Sequence, residues 1–340
     1  MDQSIDVFRV RFHSTQTRSN TWTMKSVRDT NNNLGGYLPN FTLHTETFFC
    51  RGQNWLVILQ LFFGELVASA MVTFPYFLID PTLRYCAVSE ALAVGALVYA
   101  AVWVTYPLSG AQINPIITLA FGLTRRICFY FMPIYWIAQF LGAGFAMSIA
   151  YYISPFVKLS PDMGLTVPRS GITTLQTLWL ECLITFLLLV VILAGTDEAR
   201  ETVWTMGDGS TLACVYMLMY FAITIVTKNL TGASMNPFRS IIAAILRVNF
   251  EHQWIYAVGP LVGCLVAVVF NEVVLTEDAC WIRTKAWLTD AHYFRNHSYS
   301  LSGRPSKAST QAKKDTGHHR SGVALLFWND CTVTEEAKKS

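Results

Sequence analysis

The chain has 340 residues, of which 53% are hydrophobic and only 14% are charged, and its formal net charge is +3. Soluble domains contain about 25% charged residues, and here only 20 of the 47 charged residues fall within residues 53–274. A charge-poor centre between charged ends predicts an integral membrane core, and it excludes a soluble enzyme, a disulfide scaffold or a disordered protein as a description of the whole chain. The mild net charge gives no reason to expect a nucleic-acid partner.

Residues 1–52 are polar, and we predict that they form a mostly disordered N-terminal tail. The core at 53–274 contains six stretches that reach the roughly 20 apolar residues a spanning helix needs. These stretches are about 53–79, 84–106, 127–152, 174–195, 211–228 and 251–274. Two shorter apolar segments, near 114–122 and 236–246, are about half a span long. Their backbone must therefore be buried in protein or line a wet cavity.

Residues 275–340 are basic, and we predict a second tail that is mostly disordered. If the N-terminus lies inside, 19 Lys and Arg residues fall on the inner side of the membrane and 6 on the outer side. This bias predicts that both tails are cytoplasmic, since inner loops are enriched in basic residues. The basic tail is then either attracted to anionic lipid or simply solvated. For the location we expect the plasma membrane in preference to an intracellular membrane.

The two halves of the core repeat. Residues 109–115 (SGAQINP) are echoed by 231–237 (TGASMNP) at an offset of 122, and each copy has a glutamate in its first span, Glu65 or Glu181. Repeat 1 covers about 53–152 and repeat 2 about 174–274, and each contains three spans. Because three is odd, the second copy must be inverted in the membrane. Inverted repeats with broken helices place a pathway at the membrane midplane.

Each repeat contains an Asn-Pro pair in front of a half-span, Asn114-Pro115 and Asn236-Pro237. Asn is a favoured N-cap, and Pro fits the first helical turn. The pattern predicts two half-helices whose N-termini, with their partial positive charge, meet at the midplane. Each Asn would cap with its carbonyl and still donate from its amide NH₂. Such an arrangement orients water, repels cations and interrupts a proton wire.

At these motifs the chain resembles the aquaporin (major intrinsic protein) family. The resemblance covers about residues 53–274 and is clearest at SGAQINPIITLA (109–120), IAQFLGAG (137–144), TGASMNPFRS (231–240) and HQWIYAVGPLVG (252–263). It implies an all-α integral membrane fold with six transmembrane helices, two re-entrant half-helices and an inverted repeat. It also implies one pore per subunit and a homotetramer. The family's selectivity filter corresponds here to Val94, Thr224, Ala233 and Arg239.

The chain departs from the family at both Asn-Pro-Ala signatures, which here are Asn114-Pro115-Ile116 and Asn236-Pro237-Phe238. Close-packed sites resist added bulk. The half-helices are therefore expected to sit further apart or to be rotated, unless their neighbours shrink to compensate.

The filter is also altered. The resemblance implies Phe and His at two filter positions of water-specific members, and this chain has Val94 and Thr224 there. The smaller side chains imply a wider opening that admits glycerol, urea or hydrogen peroxide. Two features point back to water. Ser240 occupies the position at which the resemblance implies Asp in glycerol-conducting members. The loop at about 153–173 is also short.

Three carboxylates lie within the spans. Glu90 is four residues before Val94, so both share a helical face and Glu90 lies one turn outward. We hypothesise that it lines an outer vestibule and partly offsets Arg239, since intramembrane carboxylates usually face wet cavities. The alternative is a carboxylate at the headgroups or at a subunit interface. We interpret Glu65 and Glu181 as structural rather than as proton relays, each accepting backbone N–H groups of a re-entrant loop.

The sequence therefore favours a passive channel for water, and for small uncharged solutes, that excludes protons and ions. We expect lipid and the permeant as partners and no cofactor. No pattern resembles a catalytic triad, a phosphate-binding loop or a metal cluster, so no enzyme activity is expected, and the eight scattered cysteines do not predict a zinc site. The alternative is a non-transporting adhesion or signalling protein of the same fold, suggested by Ile116, Phe238 and the long tails.

Overall fold

The computed structural model describes residues 52–80, 82, 86–127, 129–197, 209–276, 279–290 and 293. Their α-helices are α1 (Gly52–Thr73), α2 (Cys86–Ser109), α3 (Pro115–Leu123), α4 (Met132–Ile153), α5 (Thr174–Gly195), α6 (Gly209–Thr231), α7 (Pro237–Arg247), α8 (Ile255–Phe270) and α9 (Trp281–Thr289). A 3₁₀ turn at Phe74–Phe77 extends α1, another at Phe129–Phe131 precedes α4, and a π turn at Asn271–Leu275 extends α8.

Six helices are long and apolar enough to cross a membrane, as the sequence predicted. They cover Trp55–Phe77, Ala87–Ser109, Phe129–Ile153, Thr174–Gly195, Thr211–Thr231 and Ile255–Leu275. Large apolar side chains such as Leu92, Phe145 and Trp179 are more than half exposed on these helices. Such surfaces suit a lipid environment rather than water. The protein is a multi-pass membrane protein.

The two repeats use the same packing, in which α1 packs against α4 and α5 packs against α8. A glycine lets the helices of each pair approach closely. A Cβ atom at Gly142 would lie 2.1 Å from the Leu66 carbonyl oxygen, and a Cβ atom at Gly263 would lie 2.3 Å from the Cys182 carbonyl oxygen. The halves meet where α2 packs along α6. With 9 and 11 residues, α3 and α7 are about half as long as a spanning helix.

Helix α9 lies within the predicted C-terminal tail and docks on the end of α3. The Trp287 indole N–H donates to the Leu123 carbonyl oxygen at 3.0 Å. The Arg125 guanidinium donates to the carbonyl oxygens of Trp287 at 2.7 Å and Asp290 at 2.5 Å. Helix α9 and Asp290 therefore pack against the C-terminal end of α3. The predicted tail residues 1–51 and 294–340 lie outside the described residues.

Candidate pore and selectivity filter

The two loops that lead into α3 and α7 have the same unusual backbone. Both place a glycine and two non-glycine residues at positive φ: Gly110 (+81°), Ala111 (+47°) and Ile113 (+66°), and Gly232 (+90°), Ala233 (+49°) and Met235 (+52°). Left-handed backbone costs a non-glycine residue roughly 1–2 kcal/mol. Surrounding contacts must therefore hold both loops in place.

Glu65 supplies these contacts in the first loop. Its carboxylate is fully buried and accepts backbone N–H groups of Gln112 at 2.8 Å and Ile113 at 2.7 Å. It also accepts the Ser109 hydroxyl and the Gln139 amide, each at 2.8 Å. Four donors satisfy the charge that burial would otherwise penalise.

Glu181 has the equivalent place in the second loop. It is fully buried and accepts the Thr231 hydroxyl at 2.7 Å and the backbone N–H groups of Ser234 and Met235, both at 3.1 Å. A tyrosine hydroxyl supports each arrangement from the neighbouring helix. Tyr135 donates to the Ser109 carbonyl oxygen at 2.6 Å, and Tyr256 donates to the Thr231 carbonyl oxygen at 2.7 Å.

Asn114 and Asn236 cap the two half-helices. The Asn114 side-chain oxygen accepts the Ile116 N–H at 2.9 Å, and the Asn236 oxygen accepts the Phe238 N–H at 3.0 Å and the Arg239 N–H at 3.4 Å. Both residues have extended backbone, as N-caps do. Each helix then begins at its proline.

The amide groups of the same two asparagines join the loops across the centre. The Asn114 amide donates to the Met235 carbonyl oxygen at 2.8 Å, and the Asn236 amide donates to the Ile113 carbonyl oxygen at 3.5 Å. The half-helix N-termini therefore lie next to each other. An amide NH₂ has two hydrogens, and this contact uses one hydrogen of each asparagine.

The bulky residues after each Asn-Pro pair are accommodated without separating the loops. Ile116 is buried in the main core, together with Ile113 and Met235. Phe238 is half-buried and turns towards α4, where its ring packs edge-on against Phe140 with centroids 5.4 Å apart. Both amide contacts are formed, and Phe238 lies beside α4 rather than between the loops. The expected separation or rotation of the half-helices stays a prediction.

Two stripes of buried side chains run along α2 and α6 at intervals of four residues. They are Glu90, Val94, Val98 and Val102 on α2, and Tyr216, Tyr220, Thr224 and Lys228 on α6, of which only Lys228 is partly exposed. Such spacing places the residues of a stripe on one helical face. Tyr220 lies beside Asn114. The α6 stripe therefore passes Asn114, at the N-terminus of α3.

The predicted filter residues Val94, Thr224, Ala233 and Arg239 each expose 2% or less of their surface. The nitrogens of the Arg239 guanidinium make no hydrogen bond of regular geometry with the described residues. Instead, the group lies over the ring of Tyr76, with 4.0 Å between Cζ and the ring centroid. The sequence did not indicate Tyr76, because it lies at the far end of the first span with no motif around it.

Glu90 is buried and ion-paired with Lys228, and its Oε1 lies 2.7 Å from Nζ. The sequence pattern indicates Arg239 as the charge that Glu90 offsets, whereas the residue paired with Glu90 in the structure is Lys228. Since Lys228 is four residues beyond Thr224 on α6, the ion pair lies one turn beyond the filter position. The offset to Arg239 stays a prediction.

Comparison with known proteins agrees with this arrangement. The family model described as major intrinsic protein matches residues 56–270, which include both spans of the filter and both Asn-Pro loops. The chain belongs to the major intrinsic protein family. Among the residues that the structure describes, no three His, Cys, Asp or Glu side chains lie together as a metal site would require.

Within the major intrinsic protein family, the chain is similar to aquaporin-4 of Rattus norvegicus, with 36% identity over 174 residues, covering 50% of this chain and 51% of the relative. The chain thus spans about half the length of that relative. It is 32% identical to aquaporin-2 of Bos taurus over 225 residues, covering 65% of this chain and 76% of the relative. The X-ray structure of the aquaglyceroporin from Plasmodium falciparum shares the fold, with a TM-score of 0.59, 23% identity, and coverage of 64% of this chain and 97% of that one.

Proposed function

We propose that this protein is a passive transmembrane channel for water that excludes protons and ions. The observation that carries the proposal is the pair of amide contacts by which Asn114 and Asn236 hold two half-helix N-termini together. Two positive dipole ends and two amide donors at one point favour a water oxygen and disfavour a cation. Membership of a family whose similar members include aquaporin-2 and aquaporin-4 supports the same function.

The filter residues and their neighbours add charge selection. Arg239 presents buried nitrogens that make no hydrogen bond of regular geometry with the described residues, and a permeating water or solute oxygen would satisfy them. Together Arg239, Lys228 and Glu90 contribute one net positive charge. In a buried setting one unbalanced charge opposes a cation by several kcal/mol, about 4 at a separation of 4 Å. Water crosses without this penalty, and flow follows the osmotic gradient without a cofactor.

The size of Val94 and Thr224 extends the proposal to small uncharged solutes. Neither side chain is an aromatic ring or an imidazole, so the four filter positions alone leave room for glycerol, urea or hydrogen peroxide. We further propose a homotetramer in the plasma membrane with both termini in the cytoplasm. The excess of basic residues in the two tails supports that orientation.

Osmotic shrinkage of proteoliposomes tests the proposal. Stopped-flow light scattering is expected to give a water permeability above that of protein-free vesicles of the same lipid. Equal permeability would overturn the channel function and favour a non-transporting adhesion or signalling protein of the same fold. The amount of reconstituted protein is measured by quantitative gel analysis, so that poor insertion is not mistaken for low water permeability.

A further inference from the structure

Tyr76 reaches the filter from the end of α1. That helix ends at Thr73, and Pro75 lies in the first turn of the 3₁₀ segment Phe74–Phe77 that follows. The tighter turn sends neighbouring side chains in different directions. Phe74 is 37% exposed on the outside of the bundle, whereas Tyr76 is buried in the main core.

The ring of Tyr76 is the contact that holds the Arg239 guanidinium. The distance of 4.0 Å between Cζ and the ring centroid is well inside the roughly 6 Å range of cation–π attraction. An arginine side chain has many rotamers, and fixing it costs entropy. No guanidinium nitrogen makes a hydrogen bond of regular geometry with a described residue, but the Tyr76 side chain lies within reach of the group. Tyr76 therefore restricts the guanidinium and still leaves it donors for a permeant.

The same ring lies close to the ion pair between Glu90 and Lys228. Lys228 Nζ is 5.9 Å from the Tyr76 centroid, while it pairs with Glu90 at 2.7 Å. Tyr76 is therefore bordered by Arg239 of the filter and by the residue one turn beyond Thr224. This position places the apolar face of the Tyr76 ring beside the filter residues.

We propose that Tyr76 is a fifth residue of the filter, whose ring positions Arg239 and narrows the opening so that water passes and glycerol is excluded. The inference rests on the proposed channel function and restricts its permeants, because it excludes the glycerol that the four filter positions alone would admit. The near-complete burial of Val94, Thr224, Ala233 and Arg239 supports it, because little open surface is left around them. The ring of Tyr76, which follows α1, fills the space that the small side chains of Val94 and Thr224 leave.

The test compares water and glycerol permeability of the wild type, Tyr76→Ala, Tyr76→Phe and Phe74→Ala in proteoliposomes. Tyr76→Ala is expected to raise the ratio of glycerol to water permeability by about tenfold or more, since a lost steric restriction of this size changes discrimination by such factors. Tyr76→Phe keeps the ring and is expected to keep the wild-type ratio. Phe74→Ala removes an aromatic ring from the same turn on the outer surface and is the matched control. Misfolding lowers both permeabilities together and leaves the ratio unchanged.

The outcomes separate this inference from the channel function. Wild type that conducts water and also glycerol at a similar rate would overturn the role of Tyr76 and leave the channel intact. An unchanged ratio in a Tyr76→Ala protein that keeps its water permeability, or a raised ratio in Tyr76→Phe, would overturn it as well. Absence of water permeability in both wild type and Tyr76→Ala would overturn both proposals. Water permeability that is absent in wild type and present in Tyr76→Ala would support the constriction and overturn a constitutive channel.

Discussion

Asn114 and Asn236 each donate a hydrogen bond to the loop that contains the other. The Asn114 amide lies 2.8 Å from the Met235 carbonyl oxygen, and the Asn236 amide lies 3.5 Å from the Ile113 carbonyl oxygen. Each acceptor directly precedes the opposite asparagine. The two contacts between the loops are therefore reciprocal, and the contact made by Asn114 is the shorter one.

Replacing either asparagine by alanine is expected to lower both stability and water permeability. Each change removes an N-cap worth about 1 kcal/mol and a buried hydrogen bond worth about 1 kcal/mol. Asn114→Ala should have the larger effect, because its bond across the centre is shorter. Thermal unfolding in detergent and vesicle shrinkage measure the two effects. Asn249→Ala, in a turn after α7, is the control, and wild-type values in both pore variants would refute the role given to these amides.

Removing the charge of the buried carboxylates is expected to destabilise the re-entrant loops. In Glu65→Gln and Glu181→Gln an amide NH₂ replaces an acceptor that holds backbone N–H groups. A hydrogen bond to a charged group contributes about 1.5–3 kcal/mol, and Glu65 accepts four such bonds against three for Glu181. Glu65→Gln should therefore unfold at the lower temperature. Glu251→Gln, with a largely exposed side chain, serves as the matched control.

A larger loss of stability in Glu181→Gln than in Glu65→Gln would contradict this order. Full stability in both variants would show that the loops hold their left-handed residues without the carboxylates.

The ion pair between Glu90 and Lys228 leads to opposite expectations for its two members. Lys228→Met removes the net positive charge of the cluster with Arg239 and Glu90, and it is expected to raise sodium leak by about tenfold. Glu90→Gln increases the positive charge and is expected to leave sodium leak at or below the wild-type level. A sodium-sensitive dye inside proteoliposomes reports both. Lys158→Met, at an exposed position in the loop after α4, controls for loss of a lysine. Equal leak in all four proteins would remove Lys228 and Glu90 from the selectivity mechanism.

The half-helices could be predicted from sequence because their signals are local. Asn114 and Asn236 each stand before a proline and a short apolar run, and capping depends only on neighbouring residues. The contacts of Tyr76 with Arg239 and of Glu90 with Lys228 could not be predicted in this way. Each pair is more than 130 positions apart, and no periodicity relates the helices that bring it together. Helix α9 was missed because nine residues with two basic side chains resemble a solvated tail.

Phe238→Ala is expected to affect stability more than conduction. The ring is half-buried against Phe140, so its loss should lower the free energy of unfolding by about 1–3 kcal/mol, less than for a fully buried ring. Because the ring faces α4, water permeability per folded protein should stay within about twofold of the wild type. Ile116→Ala in parallel tests the other departure from Asn-Pro-Ala. A large gain in permeability from Phe238→Ala would mean that this ring obstructs the pore.

We expect water to pass the junction of Asn114 and Asn236 and protons to be stopped there. The most direct measurement records osmotic shrinkage and internal pH in the same proteoliposomes, with a pH-sensitive dye inside and matched protein-free vesicles beside them. We predict faster shrinkage than in the protein-free vesicles, and a proton leak equal to theirs. Shrinkage no faster than in protein-free vesicles, or a proton leak that rises with the amount of protein, would contradict this expectation.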